Sequence, residues 1–241
     1  MFKIFREKNS TMKLVPQEHI PKNIFLQSVI FLAVFIVSQV CASIPSFIPM
    51  MTNIFANMTT LMDTLNNQGY DAYMEKVMSI GYTPTIIILS LYGTILATVI
   101  TMLFCKVIER RPIASLGFKK KNAINSYLVG CLVGIVLMSV SVLLSAMFGG
   151  ISLSVNSNIG WKLLIIYLFG FLFQGASEEI IFRGYFLNTV ASKDRIVLAI
   201  VLNSIFFGLA HSFNMGLTPL AFCNLVLFGV FASIYSIKFD N

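Results

Sequence analysis

Residues 176–186, Ala-Ser-Glu-Glu-Ile-Ile-Phe-Arg-Gly-Tyr-Phe, place two adjacent carboxylates and a guanidinium inside a run apolar enough to sit in hydrocarbon. A charged side chain near the bilayer centre costs about 2.5–3.5 kcal/mol even on insertion scales, so its presence implies pairing or function. On an α-helix Glu179 and Arg183 stand four apart in the carboxylate-first order that favours an ion pair, and they can neutralise each other. Glu178 is turned about 100° away by the helical pitch and lacks that partner. Such a carboxylate can accept a proton from a water held beside it, and the chemistry this implies is hydrolysis.

A second candidate group lies in residues 206–213, Phe-Phe-Gly-Leu-Ala-His-Ser-Phe, where His211 is one of two histidines in the chain and Phe207 lies one turn before it. Gly208 and Ala210 leave room for a neighbouring helix to approach closely. The charged turn 191–195 is short, which makes the flanking helices antiparallel neighbours. Glu178 lies about fifteen residues before that turn and His211 about fifteen after it, so at about 1.5 Å per residue the two sit at equal depth. They can then face each other and share a water molecule or a metal ion. The competing reading makes Glu179 and Arg183 a staple of the bundle and His211 a hydrogen-bonded interior residue. An unpartnered glutamate at matching depth tips the balance toward a site.

The elements that must position these groups follow from composition. Of the 241 residues 57% are apolar and 11% charged, and the apolar ones gather into blocks near the length that crosses a hydrocarbon core. The blocks are 24–44, closed by Pro45 and Pro49, then 84–105, 127–148, 161–190, 196–213 and 219–237. The fold class expected is all-α, a polytopic transmembrane helical bundle of about six spans. Lys3, Arg6, Lys8, Lys13 and Lys22 precede the first block, and Lys106, Arg110, Arg111, Lys119, Lys120 and Lys121 follow the second. Positive charge marks cytoplasmic segments, so the amino terminus is expected inside.

The net charge of +7 lies beside spans with no aromatic-basic reading surface, which argues topology rather than nucleic-acid binding. The first apolar block is too long and too late for a cleaved signal peptide and reads as a retained anchor. Cys41, Cys105, Cys131 and Cys223 show no paired spacing and read as small buried thiols in or at the edge of apolar blocks. Segment 50–83 is expected to hold a short interfacial helix and a loop, with the turn signal Asn66-Asn67-Gln68-Gly69. Asn203 and Asn224 read as polar packing between helices. His19 falls in the polar leader, and no internal repeat is visible.

On these residues the sequence resembles the CPBP family of intramembrane proteases, also called the CAAX prenyl protease 2 or Abi family. The family's first motif, two glutamates, three variable residues and an arginine, matches Glu178, Glu179 and Arg183, and its second, phenylalanine, three residues and histidine, matches Phe207 and His211. Residues 110–122 look like the basic segment that precedes the core in bacterial members, and Gly229 lies in a stretch similar to the third motif. The resemblance implies that Glu178 activates the water attacking a scissile amide with His211 as its partner, while Glu179 and Arg183 hold the helix. It implies a peptide or protein substrate reached within the lipid bilayer, a bacterial cell membrane, and either a glutamate-bound water or a divalent metal such as zinc held by Glu178 and His211. Bacterial members are linked to peptide processing, bacteriocin immunity or surface-protein display.

The family's fourth motif, a histidine with asparagine or aspartate four residues later, would lie on a further helix, and the sequence stops at residues 237–241 where that helix should begin. The expected organisation is a basic leader over 1–23, two amino-terminal spans with an external loop over 24–109, and a family-like core over 110–241 that is truncated before its last helix. The functional expectation is an intramembrane peptidase, weakened or inactive if the oxyanion donor is absent. The alternatives are a non-catalytic membrane immunity or scaffold protein of the same fold and, more distantly, a proton-coupled transporter.

Overall fold

The computed structural model describes residues 5–118, 123–154, 160–212, 214 and 216–240. The expected loop charges Lys3, Lys119, Lys120 and Lys121, and the end of the fifth expected span at Phe213, lie outside the described residues. The described chain is helical throughout: α1 (Ser10–Lys13), α2 (Ile24–Ala56), α3 (Met58–Gln68), α4 (Tyr70–Gly81), α5 (Pro84–Val107), α6 (Ala123–Met147), α7 (Trp161–Glu178), a π-helix (Glu179–Leu187), α8 (Asn188–Ala191), α9 (Ile196–Ala210) and α10 (Pro219–Phe239). A 3₁₀ turn at Ile113–Leu116 follows α5. With five helices among the described residues long and apolar enough to cross a bilayer, this is an integral membrane protein. The fifth apolar block differs from expectation. As α9 it has only fifteen residues, about 22 Å against a hydrocarbon core of about 30 Å, so it is shorter than a span.

Two boundaries change for physical reasons. Pro45 and Pro49 do not close the first helix, and α2 continues through both to Ala56. In lipid a broken helix exposes backbone groups that no water can satisfy, so continuation through proline is favoured over termination. The segment expected as one short helix and a loop is two helices, α3 and α4, broken only at Gly69, whose φ of 87° is one that glycine tolerates. The turn signal therefore marks a break one residue long.

Packing is set by close approaches and aromatic contacts. On α5, a Cβ added at Gly93 would run into the backbone carbonyl oxygen of Ala42 on α2, so these helices cross at a small-residue contact. The expectation for Gly208 holds: a Cβ there would lie 2.7 Å from Val226 and 3.1 Å from Phe222, both on α10. Gly229 faces Ser204 in the same helix pair, and Asn203 Nδ2 donates to Ser233 Oγ at 2.9 Å across it. Asn224, by contrast, is exposed, so its expected role as buried polar packing is not realised. Phe31 on α2 stacks on Phe186 at 4.2 Å between ring centroids, with Phe182 and Phe206 in the same cluster. No residue of α6 is buried.

Two regions expected to be solvated are docked instead. Arg111 is buried: its Nε donates to Ser115 Oγ at 2.8 Å, Nη1 to Thr189 Oγ1 at 2.8 Å and Glu109 Oε2 at 3.2 Å, and Nη2 to the Ser115 and Gly184 carbonyls. A guanidinium with all of its donors engaged is a fork that clamps the 3₁₀ turn to the π-helix, not a topology charge facing water. The leader likewise folds back. Thr11, Met12, Val15 and Ile20 are buried, Ser10 and Thr11 donate to the Asp240 carboxylate, Gln17 Nε2 donates to Ser192 Oγ, and Lys193 Nζ donates to the Pro21 carbonyl. All four cysteines are free thiols, but the expected burial holds for Cys105 alone: Cys41 and Cys131 are half-buried and Cys223 is exposed, because spans in lipid turn part of their apolar surface outward.

Gly93→Ala is expected to lower stability by about 1–3 kcal/mol, because the new methyl meets backbone rather than a flexible side chain. Gly130→Ala, with open space at its Cβ, should leave the melting temperature of the detergent-solubilised protein within a degree or two, about ±0.5 kcal/mol.

Burial holds the Glu109 carboxyl above the ordinary carboxylate range, and the Arg111 guanidinium offsets this only in part. Because the folded-state value is raised, this group's contribution to stability is full below the unfolded value of about 4.3 and is lost as pH rises through the folded value. Thermal melts across that window should therefore show a fall with rising pH that Glu109→Gln flattens.

Candidate active site

Glu178 ends α7 and the next residue starts a π-helix, so the first motif straddles a change of helical winding. The α-helical spacing expected for Glu179 and Arg183 is thus replaced by a wider turn, of the kind that concentrates at functional sites. Widening misaligns backbone carbonyls, and side chains take them up: Gly184 O accepts from Arg111 and Asn188, and Tyr185 O accepts from Thr189 Oγ1. The ion pair survives, with Arg183 Nη1 3.3 Å from Glu179 Oε1. That approach lacks hydrogen-bond alignment, and the three Arg183 nitrogens have no hydrogen-bond partner among the described residues.

Arg183 also reaches across to the second motif. Its Cζ lies 4.4 Å from the centroid of the Phe207 ring on α9, a cation–π contact in a water-poor setting. Phe182 meets the same ring edge-on at 5.3 Å. Phe207 in turn lies 4.7 Å from the His211 imidazole, and its carbonyl is 2.8 Å from His211 Nδ1. A carbonyl only accepts, so Nδ1 carries a proton and Nε2 is turned outward.

That nitrogen faces Glu178, with Nε2 3.9 Å from Oε1. The structure thus brings Glu178, at the end of α7, and His211, at the end of α9, together, while Glu179 pairs with Arg183. The separation exceeds a hydrogen bond, and a gap of that length suits a water bridging the two groups. A water giving one hydrogen to each would have its own lone pair free. Gln174, one turn before Glu178, donates to Oε1 at 3.3 Å and orients the carboxylate.

These groups open on a cavity of about 200 Å³ lined also by Gln39, Thr94, Ser177, Phe182 and Asn214. The sequence reasoning missed Gln174, Gln39 and Asn214. Gln174 was findable from its four-residue spacing to Glu178; Gln39, on a distant helix, was not.

A catalytic zinc uses about three protein ligands drawn from His, Cys, Asp and Glu. Among the described residues no group of three such side chains converges, and Glu178 with His211 supplies two. The donor set does not meet the requirement, so no step below runs through a metal.

Residues 160–241 match the family model for type II CAAX prenyl endopeptidase Rce1-like proteins. The match supports the CPBP/CAAX protease family, and it contains Glu178, Glu179, Arg183, Phe207 and His211. No curated protein and no solved structure matches the chain.

Glu179→Gln should destabilise the folded protein by about 1–3 kcal/mol, since it strips a buried guanidinium of its counter-charge. The expected loss stays below that of a fully enclosed pair because Glu179 is 55% exposed. Glu178→Gln, which breaks no ion pair with Arg183, should melt near the parent. Detergent thermal melts of the two variants compare them directly.

Proposed function

We propose that the chain is an intramembrane peptidase in which Glu178 activates water for attack on an amide bond. The observation that carries the reading is the pairing of a carboxylate and an imidazole nitrogen at 3.9 Å on the wall of a cavity between α2, α5, α7 and α9. The match to an endopeptidase family over residues 160–241 supports it at the level of reaction class.

In this reading a water sits between Glu178 Oε1 and His211 Nε2, hydrogen-bonded to both. Glu178 takes a proton from the water as its oxygen adds to the carbonyl carbon, and the carbonyl π electrons move to oxygen. The tetrahedral adduct then collapses. The C–N bond breaks, the amine leaves with the proton that Glu178 returns, and the new carboxylic acid, which still carries the water's second hydrogen, releases it to solvent as a proton to become a carboxylate. His211, fixed in one tautomer by the Phe207 carbonyl, orients the water and holds its second hydrogen. Gln174 keeps the Glu178 carboxylate aimed at it. Glu179 and Arg183 hold α7, the π-helix and α9 in register. The substrate class is a peptide or protein tail that reaches the cavity through the bilayer; prenylated tails, which the name of the matched family denotes, are the first to test.

Full-length protein in lipid nanodiscs, assayed by mass spectrometry against a panel of prenylated and unmodified tail peptides, is expected to cleave at least one. Glu178→Ala should reduce the rate by about 100- to 10,000-fold while the protein stays folded in the membrane. Cleavage that persists in Glu178→Ala sinks the reading.

A further inference from the structure

An oxyanion of the kind just described needs a hydrogen-bond donor aimed at the place where negative charge develops. The polar side chains around the cavity can be sorted by what they already do. Gln174 is engaged with Glu178, and His211 Nδ1 with the Phe207 carbonyl. Thr94 Oγ1 donates to the Leu91 carbonyl, and Ser177 Oγ to the Thr94 carbonyl. Two amides remain, Gln39 and Asn214. Asn214 is exposed in the turn between α9 and α10.

Gln39 is placed differently. It lies within α2, half-buried, one turn after Phe35, which also lines the cavity. The serines of the same span, Ser28, Ser38, Ser43 and Ser46, return their hydroxyls to carbonyls within α2, and Gln27 Nε2 donates to Tyr185 OH. Gln39 alone among these has no hydrogen-bond partner among the described residues. An amide in a membrane span without a partner is costly unless it faces a polar cavity, and this one faces the cavity that holds Glu178 and His211.

Resting on the peptidase reading above, we propose that Gln39 is a further catalytic residue, the donor whose side-chain N–H stabilises the oxyanion formed at the scissile carbonyl. The amide donates a hydrogen bond as the carbonyl π electrons move onto oxygen and releases it when the adduct collapses; no proton is transferred to or from Gln39. The donor comes from the first span, outside residues 160–241, so this half of the site is built by the part of the chain that the family match does not cover. A helix held by the Phe31 cluster and the Gly93 crossing keeps the amide preorganised.

The test uses the full chain in nanodiscs and the peptide it cleaves best. Gln39→Met keeps the length and removes the donor. It is expected to lower kcat by about 100- to 1,000-fold with KM changed less than about threefold, and Gln39→Asn is expected to recover part of the loss. A peptide phosphonate that mimics the tetrahedral adduct should bind Gln39→Met weaker by a similar factor, while the uncleaved peptide, measured on Glu178→Gln, binds equally with and without the Gln39 change. A merely structural role would lower the melting temperature or both affinities together. Unchanged kcat and phosphonate affinity in Gln39→Met, with Glu178→Ala inactive, overturns the Gln39 assignment alone. Cleavage that survives Glu178→Ala overturns the peptidase reading and this assignment with it. If no peptide is cleaved, equal phosphonate affinity in the parent and Gln39→Met overturns it as well.

Discussion

The contact between the Arg183 guanidinium and the Phe207 ring is the interaction on which the rest of the site depends. Arg183 belongs to the segment that carries both glutamates, and Phe207 is one turn from His211 on the neighbouring helix, so the contact joins the two motifs directly. In hydrocarbon a cation cannot be left to water, so it must be neutralised and covered within the protein. Glu179 neutralises it and Phe207 covers it. The geometry that satisfies both leaves Glu178 on the opposite side of the helix, free to face His211 across 3.9 Å.

Around this contact the protein builds two different supports. At one end of the π-helix, Arg111 clamps the 3₁₀ turn, Gly184 and Thr189 together, and the leader closes over α8 and the end of α10. Along the bundle, α2 and α5 cross closely at Gly93 and bring the Phe31 cluster against Phe182 and Phe186. The first support fixes where the helix ends; the second fixes which of its faces meets α2. The cavity forms where these constraints leave space, and it has Gln39 on one wall and Glu178 with His211 on the other. The first two spans are therefore part of the wall of the site as well as anchors in the lipid.

Much of this was legible in the primary structure, because lipid imposes simple rules on it. Apolar blocks of spanning length, and the need to accommodate an acid, acid and arginine inside one of them, follow directly from solvation cost, while Gly208 marked room for a neighbouring helix without saying which. The depth argument that put Glu178 level with His211 needed only helical rise and a short turn. What could not be read was anything that depends on a partner far along the chain. Arg111 looked like one more loop charge, since burial of an arginine depends on five donors meeting acceptors from the turn and the π-helix. Pro45 and Pro49 looked like stops because local backbone preference, not the absence of water, was being weighed. The winding of residues 179–187 was hidden for the same reason: its misaligned carbonyls are taken by side chains that sequence spacing does not reveal.

The sequence by itself determined the solvent, the number of apolar helices and the identity of the charged groups that must be accommodated within them, since each follows from transfer cost residue by residue. Only the tertiary structure decided that α9 stops short of a full span, that Arg183 is covered by Phe207, and that Gln39 from the first span shares a cavity with Glu178 and His211. Those are matters of distance between segments remote in sequence, and no local preference encodes a distance.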